Sequence, residues 1–215
     1  MDHAAETVAD AGTHTVDSLA ELRAIVGHPN QRVADKVAER LSEMHREWIA
    51  HCPFVVLATT DAVGNVDVSP KGDPPGFVHV LDDTTIAIPE RPGNKRVDGY
   101  SNILDNPHVG ALFVVPGRGD TLRVNGVARI VSDAPYFDDM IVAGNRPILA
   151  LEVSVRETFF HCAKAFMRSA LWKPETWEPG ALPSTAQIAH AVMPGPSLEE
   201  YQEHYRDENY RAKLY

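Results

Sequence analysis

Four clusters of polar residues in this chain have types and spacings that could do chemistry. The densest is Pro89-Glu90-Arg91-Pro92-Gly93-Asn94-Lys95-Arg96, which holds three cations against one carboxylate in a chain of formal net charge -10. It follows an apolar run, Thr84 to Ile88, and precedes a predicted helical turn, Asp98 to Leu104. Strand, tight loop and basic side chains at a helix start suit a phosphate. Backbone N–H groups can point at the anion while the cations neutralise it. A solvated basic turn on an acidic surface is the competing reading.

The second cluster, Ser69-Pro70-Lys71-Gly72-Asp73, stands at a strand end. A hydroxyl, an ammonium and a glycine there can contact a planar, electron-poor ring and its carbonyls; the alternative is a plain loop before the turn Asp73-Pro74-Pro75-Gly76. The third, Arg123-Val124-Asn125-Gly126, lies in mid-strand, where the arginine serves a ligand or a surface ion pair. Gly126 marks a bulge or the close approach of a ligand. The fourth is His161 to Trp172. As a helix from Cys162 to Leu171 it would place His161, Lys164 and Arg168 near one face, as a lid beside Trp172 or as an ordinary solvated face.

Other chemistries lack their residues. There is no Gly-rich loop ending in Lys-Ser/Thr, no GxGxxG after a strand, no GxSxG and no HExxH. Ten histidines are scattered, and no metal site is expected. The two cysteines, Cys52 and Cys162, are far apart, and the expectation is two buried thiols in a reducing cytosol. The acidic balance argues against nucleic acid and anionic membranes as partners. No apolar run approaches a membrane span, and the amino terminus does not read as a secretory signal, so a cytoplasmic location is expected.

The elements that must position these clusters follow from periodicity. Ser18-Leu19-Ala20-Glu21 reads as a capping box opening a helix that ends near Gly27. A longer helix is predicted from Gln31 to Ala50, with Val33, Val37, Leu41, Met44 and Trp48 on one stripe. Three hairpins follow: Phe54–Thr59 with Val66–Ser69, Phe77–Leu81 with Thr84–Ile88, and Val109–Val115 with Thr121–Ser132. In the last of these strands Leu122, Val124, Gly126, Ala128 and Ile130 share a face. Pro147–Val155 is a further strand. Helices are then predicted at Cys162–Leu171, Ala186–Val192 and Leu198–Lys213. The pattern indicates an antiparallel barrel or sandwich.

In this order the clusters carry a resemblance. Residues 53–155 resemble the flavin-binding split-barrel proteins related to pyridoxamine 5'-phosphate oxidase, and the run from His161 to Trp172 is similar to one bacterial branch of that superfamily. The resemblance implies a mainly β protein with flanking helices (α+β), built on an antiparallel six-stranded split β-barrel, Greek-key-like. It implies a tail at 1–15, helices packing on the barrel at 16–52, the FMN-binding barrel at 53–157 and a helical extension at 158–215, one domain overall. It further implies a homodimer with FMN at the interface. Asn94, Lys95 and Arg96 match the phosphate-binding turn. Val68, Ser69, Pro70 and Lys71, with Gly72, match the segment along the isoalloxazine ring. Ile88, Pro89 and Glu90 match the segment before the phosphate loop. Arg123 and Asn125 match a position near the flavin, supplied by either chain, and Lys164, Arg168 and Trp172 are further candidates. The expected function is FMN-dependent hydride transfer to or from a small molecule. A non-catalytic flavin- or haem-binding protein, with His161 as a haem ligand, and a deazaflavin (F420)-dependent reductase are the alternatives. The carboxy-terminal Arg-Leu-x-Pro-like run of pyridoxamine phosphate oxidases proper is missing, so that substrate is not expected.

Overall fold

A computed structural model describes residues 12–215. The expected tail at 1–15 therefore lies mostly outside the described residues. The chain divides into two compact units, one up to Lys36 and one from Val37 to Tyr215. In the first, α1 (Leu19–Val26) begins where the Ser18 hydroxyl accepts from the Glu21 amide and stops at Gly27, whose φ of 83° favours glycine. The short α2 covers Gln31–Ala34.

The predicted single helix from Gln31 to Ala50 is not formed. Ala38 instead makes a β-bridge with Thr158, and the Leu41 amide donates to Asp83 O. A new helix, α3 (Glu43–Ala50), then starts at Ser42. The Ser42 hydroxyl accepts from the His45 amide while His45 Nδ1 accepts from the Ser42 amide. This reciprocal cap resembles a capping box with histidine in the place of glutamate. An extended tertiary bridge has displaced a helix that the apolar spacing allowed.

The larger unit is built on one antiparallel sheet of seven strands, in the order β2-β1-β5-β6-β7-β4-β3. The strands are β1 (Phe54–Thr60), β2 (Val66–Gly72), β3 (His79–Val80), β4 (Thr85–Glu90), β5 (His108–Val114), β6 (Thr121–Val131) and β7 (Leu149–His161). All three predicted hairpins form. The sheet has one strand more than the six expected, because two-residue β3 pairs at the edge, and it is not closed: β2 and β3 are its ends. Helix α4 (Asp98–Asp105) leads from β4 back to β5.

Strand β7 is longer than predicted. The pairing of β6 with β7 shifts between Asn125 and Gly126: Asn125 faces Glu157 whereas Gly126 faces Val155. Arg156 is the extra residue, so the inward positions change from Leu151, Val153 and Val155 to Thr158 and Phe160. That change of parity makes the strand look finished at Val155. Of the two expectations for Gly126, the structure shows the bulge. A Cβ there would stand 2.3 Å from Ser154 O.

The core lies on one face of the sheet, where Val55, Leu57, Phe113, Leu122, Val124, Leu151 and Val153 cluster with Ile49 of α3. Each such side chain contributes about 1.5–3 kcal/mol by leaving water. Beyond β7 the chain forms α5 (Lys164–Ser169), shorter than predicted because Ala170 adopts a left-handed conformation, then α6 (Thr185–Val192) and α7 (Leu198–His204). The predicted helix to Lys213 breaks after His204, and α8 (Asp207–Arg211) follows. Cys52 is buried but Cys162 is exposed, contrary to the expectation for both thiols.

Candidate functional site

The register of β1 with β2 decides which β2 side chains can reach a ligand. Lys71, Ser69 and Asp67 face Val55, Leu57 and Thr59, which point into the core. Because β2 is an edge strand, these polar side chains line a cavity at the open margin of the sheet. Val68 and Pro70 face Ala58 and Val56 on the other surface, and Val68 is 61% exposed. Pro70 also borders the cavity, whereas Val68 and Gly72 do not.

The cavity has a volume of about 620 Å³. Its walls are Ser69, Pro70 and Lys71 of β2, Glu90 at the end of β4, Gly93, Asn94 and Arg96 of the basic loop, and Gly99 and Tyr100 of α4. Helix α4 approaches β1 and β2 closely. A Cβ on Gly99 would stand 3.0 Å from Asp67 Oδ2, and Asn102 Nδ2 donates to Thr59 Oγ1 at 3.1 Å.

The basic loop is less cationic than its composition. Arg91 turns inward: its Nε lies 2.6 Å from Asp73 Oδ2, and its Nη2 donates to Met140 O. Arg96 pairs with Asp98 at 2.8 Å, with both partners exposed. Lys95 forms no ion pair with a described residue, and its φ is 61°. The Asn94 side-chain oxygen accepts from the Arg96 amide. Helix α4 has Val97 as its N-cap and no side-chain cap, so its first amides are available to an anion.

On the opposite wall, Lys71 Nζ lies 2.5 Å from Glu90 Oε2, which also accepts from the Tyr100 hydroxyl at 2.8 Å. Burial, and then the Glu90 carboxylate, hold the Tyr100 hydroxyl far above its ordinary pKa, so it is a donor at any physiological pH. The ammonium also lies 5.2 Å from the Tyr100 ring centroid.

The other anticipated residues are elsewhere in a single chain. Ile88 and Pro89 are buried and do not border the cavity. Arg123 and Asn125 share the outer face of the sheet with Val68 and Pro70, through Leu112 and Gly110 of β5, and both contact Glu157 Oε1. They therefore lie on the opposite face from Ser69 and Lys71. Trp172 donates from Nε1 to Arg118 O beside the β5–β6 turn, while Lys164 and Arg168 are exposed on α5. Sequence reasoning missed Tyr100, whose position inside the first turn of α4 was a usable signal, and Tyr210 of α8, which also borders the cavity. Nothing local marks Tyr210, since 120 positions separate it from Glu90.

The residues present fit a phosphate-bearing planar ligand. An uncapped helix start and an exchangeable arginine stand at one end, with a polar strand edge along the side; Lys95, between Asn94 and Arg96, does not itself border the cavity. A second recess of about 400 Å³, lined by His204, Tyr210 and Lys213, adjoins it at Gly93 and Asn94. Among the described residues no group of three or more His, Cys, Asp or Glu could hold a metal ion, and no helix is long and apolar enough to cross a membrane.

No curated protein matches. Among solved structures, HupZ of Group A Streptococcus is 23% identical over 56% of this chain and 93% of its own, with a TM-score of 0.45. A candidate pyridoxamine 5'-phosphate oxidase from Lactobacillus delbrueckii is 26% identical over 57% and 95%, with a TM-score of 0.44. An FMN-binding protein from Syntrophomonas wolfei is 16% identical over 55% and 89%, with a TM-score of 0.42. The profile described as pyridoxamine 5'-phosphate oxidase matches residues 41–162, from the start of the α3 segment to the end of β7. That span is more than half of the chain and contains every strand of the sheet, so the chain belongs to the pyridoxamine 5'-phosphate oxidase family.

Proposed function

We propose that this protein binds FMN and transfers hydride to or from a small molecule, as a homodimer. The observation that carries the reading is the cavity itself. It joins the uncapped start of α4 and the Asn94–Arg96 turn to the polar edge of β2. The family supplies the chemical class.

Lys95, Arg96 and the first amides of α4 would hold the phosphate. Ser69, Pro70 and Lys71 would lie along the ring. Bound FMN supplies the hydride chemistry, so the protein needs no dedicated acid or base for that transfer. Its own residues bind, orient and exclude water. Glu90 fixes Lys71, and the Tyr100 hydroxyl fixes Glu90. The outer face carries Arg123 and Asn125 among exposed Val66, Val68 and Phe54. A second copy offering that face to the cavity would complete the site and cover the apolar surface. This arrangement is what favours the dimer.

One feature favours a deazaflavin as the second reading. The recess beyond Asn94, with His204, Tyr210 and Lys213, has room for a group on the far side of a phosphate. The test is an absorbance spectrum of the purified protein and the mass of any ligand released on denaturation. Oxidised-flavin bands with the mass of FMN are expected. A deazaflavin mass would change the cofactor, and a colourless protein that takes up no added FMN would end the proposal.

A further inference from the structure

Lys71 is the cation best placed to face a ligand along β2, yet it does not stand alone. Its Nζ lies 2.5 Å from Glu90 Oε2, and both side chains are mostly screened from water, at 16% and 24% exposure. The same oxygen accepts from the Tyr100 hydroxyl at 2.8 Å. The two donors hold the carboxylate in place, while no described residue donates to Glu90 Oε1, although Glu90 borders the cavity. The wall at this point therefore presents a fixed pair of near-zero net charge. A bare ammonium in the same position would favour any ligand that gains negative charge. Partial burial makes such a field stronger than it would be in water.

We propose that Glu90 sets the charge that Lys71 presents to the cavity, and thereby the reduction potential of the bound flavin. The inference rests on the FMN reading above. Reduced flavin is the more anionic form, so a bare cation raises the potential and a bare carboxylate lowers it. Glu90 acts on the ligand through Lys71 and is in that sense a positioning residue. Its carboxylate holds the potential between the two extremes. Tyr100 contributes by occupying the oxygen that Lys71 shares.

The experiment is a dye-equilibrated measurement of the midpoint potential of FMN bound to the full chain, for the natural protein and for E90Q, K71Q and K71R. E90Q leaves the ammonium uncompensated, and its potential should rise. K71Q leaves the carboxylate uncompensated, and its potential should fall. K71R restores the cation and should return the potential towards that of the natural protein. The expected size is about a tenfold change in the preference for reduced over oxidised flavin, which is about 30 mV for a two-electron couple. A merely structural role would move both neutral variants in one direction or neither. Shifts of the same sign, or none, would overturn the inference while leaving the FMN reading intact. Failure of the natural protein to bind FMN would overturn that reading and the inference with it. Either variant alone carries a sign, so the test survives if one of them does not fold.

Discussion

Arg91 Nε lies 2.6 Å from Asp73 Oδ2, and the two side chains are 12% and 1% exposed. The pair ties the loop after β4 to the end of β2, the two segments that flank the candidate cavity. Asp73 also accepts a hydrogen bond from the Tyr215 hydroxyl, and the Arg91 guanidinium lies 5.8 Å from the Tyr215 ring centroid. Arg91 is thus a structural cation, and the sign of the basic loop is left to its neighbours.

Removing one partner of that pair should cost stability rather than affinity. Asp73→Ala leaves the Arg91 guanidinium buried and uncompensated, which costs about 3–5 kcal/mol. Denaturant unfolding at equilibrium measures it. A loss below about 1 kcal/mol would show that the pair is dispensable.

The exposed cations of the same loop should behave in the opposite way. Lys95→Ala combined with Arg96→Ala should leave the unfolding midpoint nearly unchanged, since Lys95 makes no ion pair with a described residue and the Arg96–Asp98 pair faces water. FMN binding should weaken at least tenfold, because a charge-assisted hydrogen bond contributes about 1.5–3 kcal/mol. Titration of FMN fluorescence checks this, and unchanged affinity would remove the phosphate from this turn.

The histidine that caps α3 predicts a pH dependence. His45 Nδ1 accepts from the Ser42 amide, and burial holds the ring below its ordinary pKa. The unfolded chain therefore binds more protons than the folded one between the lowered folded value and about 6.5. Stability from this group is complete above about pH 6.5 and is lost as pH falls through the folded value. His45→Gln keeps an acceptor for the cap but does not titrate in this range. Unfolding free energies measured across that window should fall less steeply in the variant, and equal slopes would exclude His45 as the source.

Gly126 has a steric task. A Cβ at that position would overlap Ser154 O at 2.3 Å and Val153 Cγ1 at 2.8 Å, so Gly126→Ala must push β6 from β7 at the bulge. A loss of about 1–3 kcal/mol is expected. Thermal unfolding measures it, and a neutral result would mean that the strands separate freely there.

Local pattern determined much of this protein. The three hairpins, the helix starts at Ser18 and after Val97, and the alternating inner face of β6 all follow from side-chain period and turn chemistry, which act between near neighbours. Residue type at strand ends and in the basic loop brought Ser69, Lys71, Asn94 and Arg96 forward as site residues, the family resemblance added Glu90, and the fold gathers these five around one cavity. Other features depended on groups distant in sequence. The bridge from Ala38 to Thr158 ended the long helix, and the bulge at Arg156 concealed the second half of β7. Asp73 took Arg91 out of the basic loop, 18 positions away, whereas Lys95 has no counter-ion among the described residues. Only the register of β1 with β2 put Ser69 and Lys71 on the inner face and Val68 on the outer, apart from Arg123 and Asn125. Composition counts the charges in a loop; which of them remain available to a ligand depends on the partners that folding brings within reach.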